Sequence, residues 1–119
     1  MRPDSRDMAY LWDMLDAAQA IMQFIQDRTF DDLISNRMLR NAIERNLEII
    51  GEAARRVSTK TRDGIAEIPW SAIIGLRNII AHEYGEIRYE KVWHICQDRL
   101  PSLITRLKEA GADDVPLTE

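Results

Sequence analysis

The sequence predicts an all-α fold, an antiparallel four-helix bundle with an optional short fifth helix. Two observations point to it. Apolar residues recur at spacings of three and four instead of alternating, which is the helical signature. The five glycines and four prolines fall largely between those periodic stretches and so punctuate them. With 119 residues, 45% hydrophobic and 30% charged, the chain can build one ordinary core. A single domain over 1–119 is expected, its core at about 8–108.

The first helix is expected from about Asp4 to Asp27. Leu11, Leu15, Ala18, Met22 and Ile25 form one stripe, and Tyr10, Met14, Ala17, Ile21 and Phe24 form a second beside it. At 100° per residue the two cover roughly half the circumference. A bundle core on one side and a second subunit on the other would use so wide a face, and so would a helix sandwiched inside one bundle. The second helix is expected from Asp32 or Ser35 to Ser58, with Leu39, Ile43, Leu47, Ile50, Ala54 and Val57 as its stripe. Gly51 interrupts it at a cost of roughly 1 kcal/mol relative to alanine; a close approach of another helix is one reason to accept that cost. Asn46, Glu48 and Glu52 read as boundary or surface polar groups.

Thr59 to Pro69 reads as a loop, anchored at its end by Trp70, and Pro69 marks a helix entry. The third helix runs from about Trp70 to His82 or Tyr84 on Ile73, Leu76 and Ile80, with Gly85 suited to the turn that ends it. After Glu86 to Arg88 a fourth helix buries Tyr89, Val92, Trp93, Cys96 and Leu100. Pro101 marks a kink or restart, Leu103, Ile104 and Leu107 continue to about Ala110, and the tail from Gly111 to Glu119 is expected to fray.

Composition removes several classes of function. No apolar run approaches the roughly 20 residues needed to span a bilayer, and the N-terminus is polar, with no signal-peptide pattern. The lone Cys96 cannot form an intrachain disulfide and lies in an apolar stripe, so packing is its expected role. These features predict a cytoplasmic chain without a membrane partner. The net charge of −4 argues against a broad basic surface for nucleic acid but leaves room for a few arginines around one phosphate. Arginines cluster at Arg37/Arg40/Arg45 and at Arg55/Arg56/Lys60/Arg62, where a solvated helix face is the default. No metal-ligand spacing or glycine-rich phosphate loop is present, and no cofactor is expected.

The most informative stretch is Arg77-Asn78-Ile79-Ile80-Ala81-His82-Glu83-Tyr84. It joins the side chain that titrates nearest neutrality to the one best shaped to clasp a phosphate. Asn78 and His82 lie one turn apart on a helix. Arg77 and His82 are about 140° apart around a straight helix and cannot share a face. They converge only where the helix ends, which Gly85 allows, or across a two-fold axis. In a catalytic reading His82 is acid or base, Arg77 neutralises phosphate charge, Asn78 orients phosphate or imidazole, and Tyr84 contacts substrate. On residue types and spacing alone a structural reading is the simpler one: His82 caps the last turn, Tyr84 packs over the helix end and Arg77 makes a surface ion pair. His94 reads as a surface or boundary residue.

The octapeptide resembles the Arg-x4-His-x-Tyr signature of the HEPN superfamily, in its HepT-like branch. Arg45-Asn46-Leu47-Glu48-Ile49-Ile50-Gly51-Glu52-Ala53-Ala54 is similar to that branch's second-helix block, and Ile68-Pro69-Trp70, Gly75, Trp93 and Leu100-Pro101 fall where similar chains have them. The resemblance covers roughly 8–108. It implies a homodimeric helical bundle in which the motif helices face each other. It implies a metal-independent endoribonuclease that serves as the toxin of a toxin–antitoxin pair. On that model the 2′-hydroxyl of RNA attacks the phosphate, with Arg77, His82 and Asn78 as catalytic residues. Tyr84 matches the tyrosine that a minimal nucleotidyltransferase antitoxin modifies with AMP. The alternative is a non-catalytic helical module that binds a nucleotide or the nucleotidyltransferase.

Overall fold

The computed structural model describes residues 3–80 and 87–114. All of its regular structure there is helical, as expected. α1 spans Ser5–Ile25, α2 Phe30–Ser35, α3 Arg37–Arg56, α4 Thr59–Gly64, α5 Trp70–Ile74, α6 Leu76–Ile80, α7 Tyr89–His94 and α8 Leu100–Glu109. α7 and α8 are joined by a π-helical turn, Ile95–Arg99, and a 3-10 turn follows at Ala112–Asp114. α1 packs against α3 and α8, and α3 also carries α5 and α6. The four main rods are therefore α1, α3, α5 with α6, and α7 with α8.

Side-chain caps explain where α1, α2, α3 and α4 begin. The Asp4 carboxylate accepts from the Asp7 backbone N–H at 2.8 Å and starts α1. Two residues past the end of α1, Asp27 adopts a left-handed φ of 60°, a conformation aspartate tolerates better than most side chains. Thr29 and Asp32 exchange reciprocal bonds in a capping box that starts α2, a short helix ahead of the expected second one. Asn36 then ends α2 and caps α3 by accepting from Leu39 N at 3.0 Å. The second helix thus begins only at Arg37, because asparagine competes with the helix backbone and favours the cap.

The expected loop from Thr59 to Pro69 is helical at its start. Ser58 accepts from Thr61 N at 3.3 Å and opens α4. Trp70 does anchor the segment, its indole donating to the Ile65 carbonyl at 3.1 Å. The expected third helix is broken at Gly75: Asn78 N donates three residues back to the Gly75 carbonyl at 2.9 Å, separating α5 from α6. At Pro101 the expected restart is present: α8 begins at Leu100 with Pro101 in its first turn, directly after the π-helical turn. Proline has no N–H for the Gln97 carbonyl and its ring crowds that group, and Leu100 N instead reaches five residues back to Ile95. The start of the expected frayed tail is ordered: the chain turns at Gly111, whose φ is 85°, and inserts Ala112 into the core, while residues 115–119 of that tail lie outside the described residues.

The core runs through every rod. Leu11, Met14, Ile21, Ile43, Leu47, Ile50, Val92, Cys96 and Leu107 are fully buried. Each large aliphatic group so buried contributes about 1.5–3 kcal/mol. Burial pushes the Cys96 thiol up to about 12, which keeps it protonated and inert, the packing role its stripe predicts. Both stripes of α1 are occupied within the chain, by α3 and α8, with Tyr10, Met22 and Phe24 half-buried. Within the chain that face packs as a sandwiched helix does, while Tyr10, Met22 and Phe24 keep part of their surface open. Phe30 meets Trp93 edge-on at 6.4 Å between centroids, and Tyr89 Oη donates to Glu44 at 2.7 Å, which ties the start of α7 to α2 and α3.

One buried polar cluster locks α1 to α4. Asp7 accepts from Ser58 N at 3.1 Å and from Thr61 Oγ1 at 2.6 Å, and from the Ser58 hydroxyl as well. Burial alone would raise its carboxyl, but these bonds, with the Arg6 charge, hold it below the usual 3.8. A carboxyl lowered by folding stabilises the fold above its unfolded-state value and loses that contribution as pH falls through the folded one. The melting temperature is therefore expected to drop below about pH 4. Asp7→Asn should be less stable by about 1–3 kcal/mol at neutral pH and show a flatter acid limb. Identical acid limbs in thermal melts of the two proteins would disprove this role for Asp7.

Candidate functional site

The strongest sequence candidates begin on α6. Arg77 and Asn78 lie on its exposed side, on the last turn described before residues 81–86. His82, Glu83, Tyr84 and Gly85 fall outside the described residues, so the convergence of His82 and Tyr84 with Arg77 is neither placed nor excluded. His94 is exposed, with Nδ1 2.7 Å from an Asp98 carboxylate oxygen one turn on, a surface position as the sequence predicts. Among the described residues no group of three or more histidine, cysteine, aspartate or glutamate side chains could hold a metal ion.

Arg77 opens onto a cleft of about 700 Å³ between α1, α3 and α6. Four arginines line it, Arg45, Arg55, Arg56 and Arg77, against three carboxylates, Asp13, Glu48 and Glu52, with Tyr10 at one wall. The local balance is thus slightly cationic in a chain whose net charge is −4. Burial, and then the Asp16 charge, push the Asp13 carboxyl up.

Glu52 is the hub of these charges. Its Oε1 receives Arg55 Nη2 at 2.7 Å and Arg56 Nε at 3.2 Å, and its Oε2 lies 4.0 Å from Arg77 Nη1. The hydrogen bond from Arg55, then that from Arg56, hold the Glu52 carboxyl below its ordinary 4.5, so it is ionised at neutral pH. Glu52, Arg55 and Arg56 stand three and four positions apart, the helical spacing that places them on one face. The basic cluster at Arg55/Arg56 is therefore paired, not freely solvated. Arg62 donates to the Arg55 carbonyl at 2.7 Å and closes the end of α3. Arg40 leaves its own expected cluster, donating to the Leu33 and Ile34 carbonyls and lying 5.7 Å over the Tyr89 ring.

The α3–α6 contact is close because Gly51 has no side chain. A Cβ there would stand 3.2 Å from the Ile73 carbonyl oxygen and 3.7 Å from Arg77 N. The close helix approach expected at Gly51 is thus present, and it delivers the backbone of Arg77. Glu52, read from the sequence as a boundary group, is the site residue that spacing missed. Its signal was there, in the Gly51-Glu52 pair followed by arginines at helical spacing.

No described helix is long and apolar enough to cross a membrane. The family model described as "Ribonuclease HepT-like" matches residues 14–110. The chain is 38% identical over 95 residues to "Putative RNase MJ1380" of Methanocaldococcus jannaschii, covering 80% of this chain and 87% of that protein. It is 30% identical over 94 residues to "Probable ribonuclease HepT" of Thermococcus cleftensis, covering 79% and 86%. No solved structure matches. A family pattern matched over residues 14–110 and a relative 38% identical over 80% of the chain leave one conclusion: the chain belongs to the ribonuclease HepT-like family.

Proposed function

We propose that this chain, a member of a ribonuclease family, is the toxin of a toxin–antitoxin pair and a metal-independent endoribonuclease. The observation that carries the reading is Arg77 on an exposed turn over an arginine-lined cleft, with Asn78 beside it and His82 and Tyr84 following in the sequence. In the proposed reaction His82 removes the proton of a ribose 2′-hydroxyl. The 2′-oxygen attacks phosphorus, the 5′-oxygen leaves and takes a proton, and a 2′,3′-cyclic phosphate remains. Arg77 neutralises the charge that builds on the phosphoryl oxygens, and Asn78 orients the phosphate. No cofactor enters this scheme. A homodimer with two motif helices face to face supplies one imidazole as base and the other as acid.

Tyr84 is the proposed point of control. A minimal nucleotidyltransferase antitoxin transfers AMP from ATP to its phenolic oxygen and releases pyrophosphate. The product adds bulk and negative charge to the Arg77–Tyr84 motif, which repels the phosphates of RNA. Intact mass of the chain co-expressed with such a partner should rise by one adenylyl group, and Tyr84→Phe should block the gain. An unmodified chain that cuts no RNA, yet binds the nucleotidyltransferase equally well with His82 replaced, would establish the non-catalytic binding module instead.

A further inference from the structure

We propose that Glu52 is the positioning residue for Arg77, a fixed acceptor on α3 that holds the guanidinium over the cleft in the orientation that meets an RNA phosphate. The proposal rests on the ribonuclease reading for its consequence but not for its geometry.

Two independent features support it. The first is backbone placement. Gly51 lets α6 settle on α3, with Arg77 N at 3.7 Å from where a Gly51 Cβ would be. Arg77 therefore enters the cleft one residue away from Glu52. The second is the carboxylate itself. Arg55 grips both oxygens, Nη2 on Oε1 at 2.7 Å and Nε on Oε2 at 3.4 Å, and Arg56 Nε adds to Oε1 at 3.2 Å, which anchors Glu52 with Oε2 4.0 Å from Arg77 Nη1. The Arg77 side chain is 64% exposed, so packing does little to restrict its rotamers. Ordering so long a side chain is entropically costly, and a preset acceptor removes part of that cost before substrate arrives. A guanidinium has five N–H donors, so an ion pair through one nitrogen leaves others free for a phosphate.

The same carboxylate puts a negative charge where RNA must bind. Positioning and repulsion therefore act in opposite directions, and Glu52→Gln separates them. It keeps the side chain's shape and removes the charge. Steady-state cleavage of a short RNA is expected to show kcat lowered about tenfold or more, as for a modest misplacement of a catalytic group, with KM unchanged or lower. In an Arg77→Ala background the same substitution should cost nothing further. Equal losses in both backgrounds, or a kcat that holds or rises, would overturn the proposal.

A second measurement does not depend on RNA cleavage. Nitrogen-15 relaxation at Arg77 Nε should report a less ordered side chain in Glu52→Gln, while Arg40, held by the Leu33 and Ile34 carbonyls and Tyr89, serves as the unchanged reference. Unaltered order at Arg77 overturns the proposal even in a chain that cuts RNA. Lowered order in a chain that cuts none upholds the Glu52–Arg77 pairing and removes the ribonuclease reading instead.

Discussion

His82→Ala is expected to lower RNA cleavage by about 10²–10⁴-fold, the usual loss when a general acid or base is removed, and to release a bacterial host from growth arrest. The reason is elimination by protonation state. A guanidinium stays charged at any working pH, so Arg77 can neutralise a phosphate but cannot take the 2′-hydroxyl proton. Glu52 is held ionised by Arg55 and Arg56, which makes it a poor base. Only imidazole titrates near neutrality without special help, and the chain has two. His94 is exposed and paired with Asp98 on α7 and the π turn, away from the cleft residues. His94→Ala should therefore retain full activity and serve as the control. Equal toxicity of the His82→Ala and parent proteins would remove the catalytic role from His82.

Gly51→Leu should be the most damaging single change outside the motif. The position is buried, and even a Cβ would press to 3.2 Å on the Ile73 carbonyl oxygen, a backbone atom that cannot rotate aside. A leucine must lift α5 and α6 off α3. Overpacking of this kind costs about 1–3 kcal/mol or more, or a fall of roughly 3–15 °C in Tm for a chain of this size. Activity should fall further than stability, because the displaced segment carries Arg77 away from Glu52. Thermal melts and cleavage assays on the same preparation separate the two losses. A variant with parental Tm and parental activity would show that the α3–α6 contact is not what places Arg77.

Much of the fold was legible in the sequence because burial follows helical periodicity. Leu11, Leu15, Ile43, Leu47, Val92 and Leu107 are buried as their stripes require. The boundaries were less legible, for a local reason. Thr29, Asn36 and Ser58 each offer a side-chain oxygen to a backbone N–H, and such caps divide helices inside stretches whose apolar period continues unbroken. The π turn before Pro101 was visible as a disturbance but not in kind, since the missing N–H can be absorbed by a kink or by a wider turn. The breadth of the α1 face pointed equally to a partner and to a sandwich, and packing against α3 and α8 accounts for most of it within the chain.

The sequence by itself determined the helical class, the core stripes, the inert role of Cys96 and the resemblance that the family match bears out. These are properties of periodicity and motif, which a linear string carries in full. Only the tertiary structure decided that Gly51 and Glu52 meet Arg77. They lie on different helices, and no spacing rule relates side chains across a break such as Gly75 or a turn such as α4. The contact depends on how closely two backbones approach, and here that distance is set by the absence of a single side chain at Gly51.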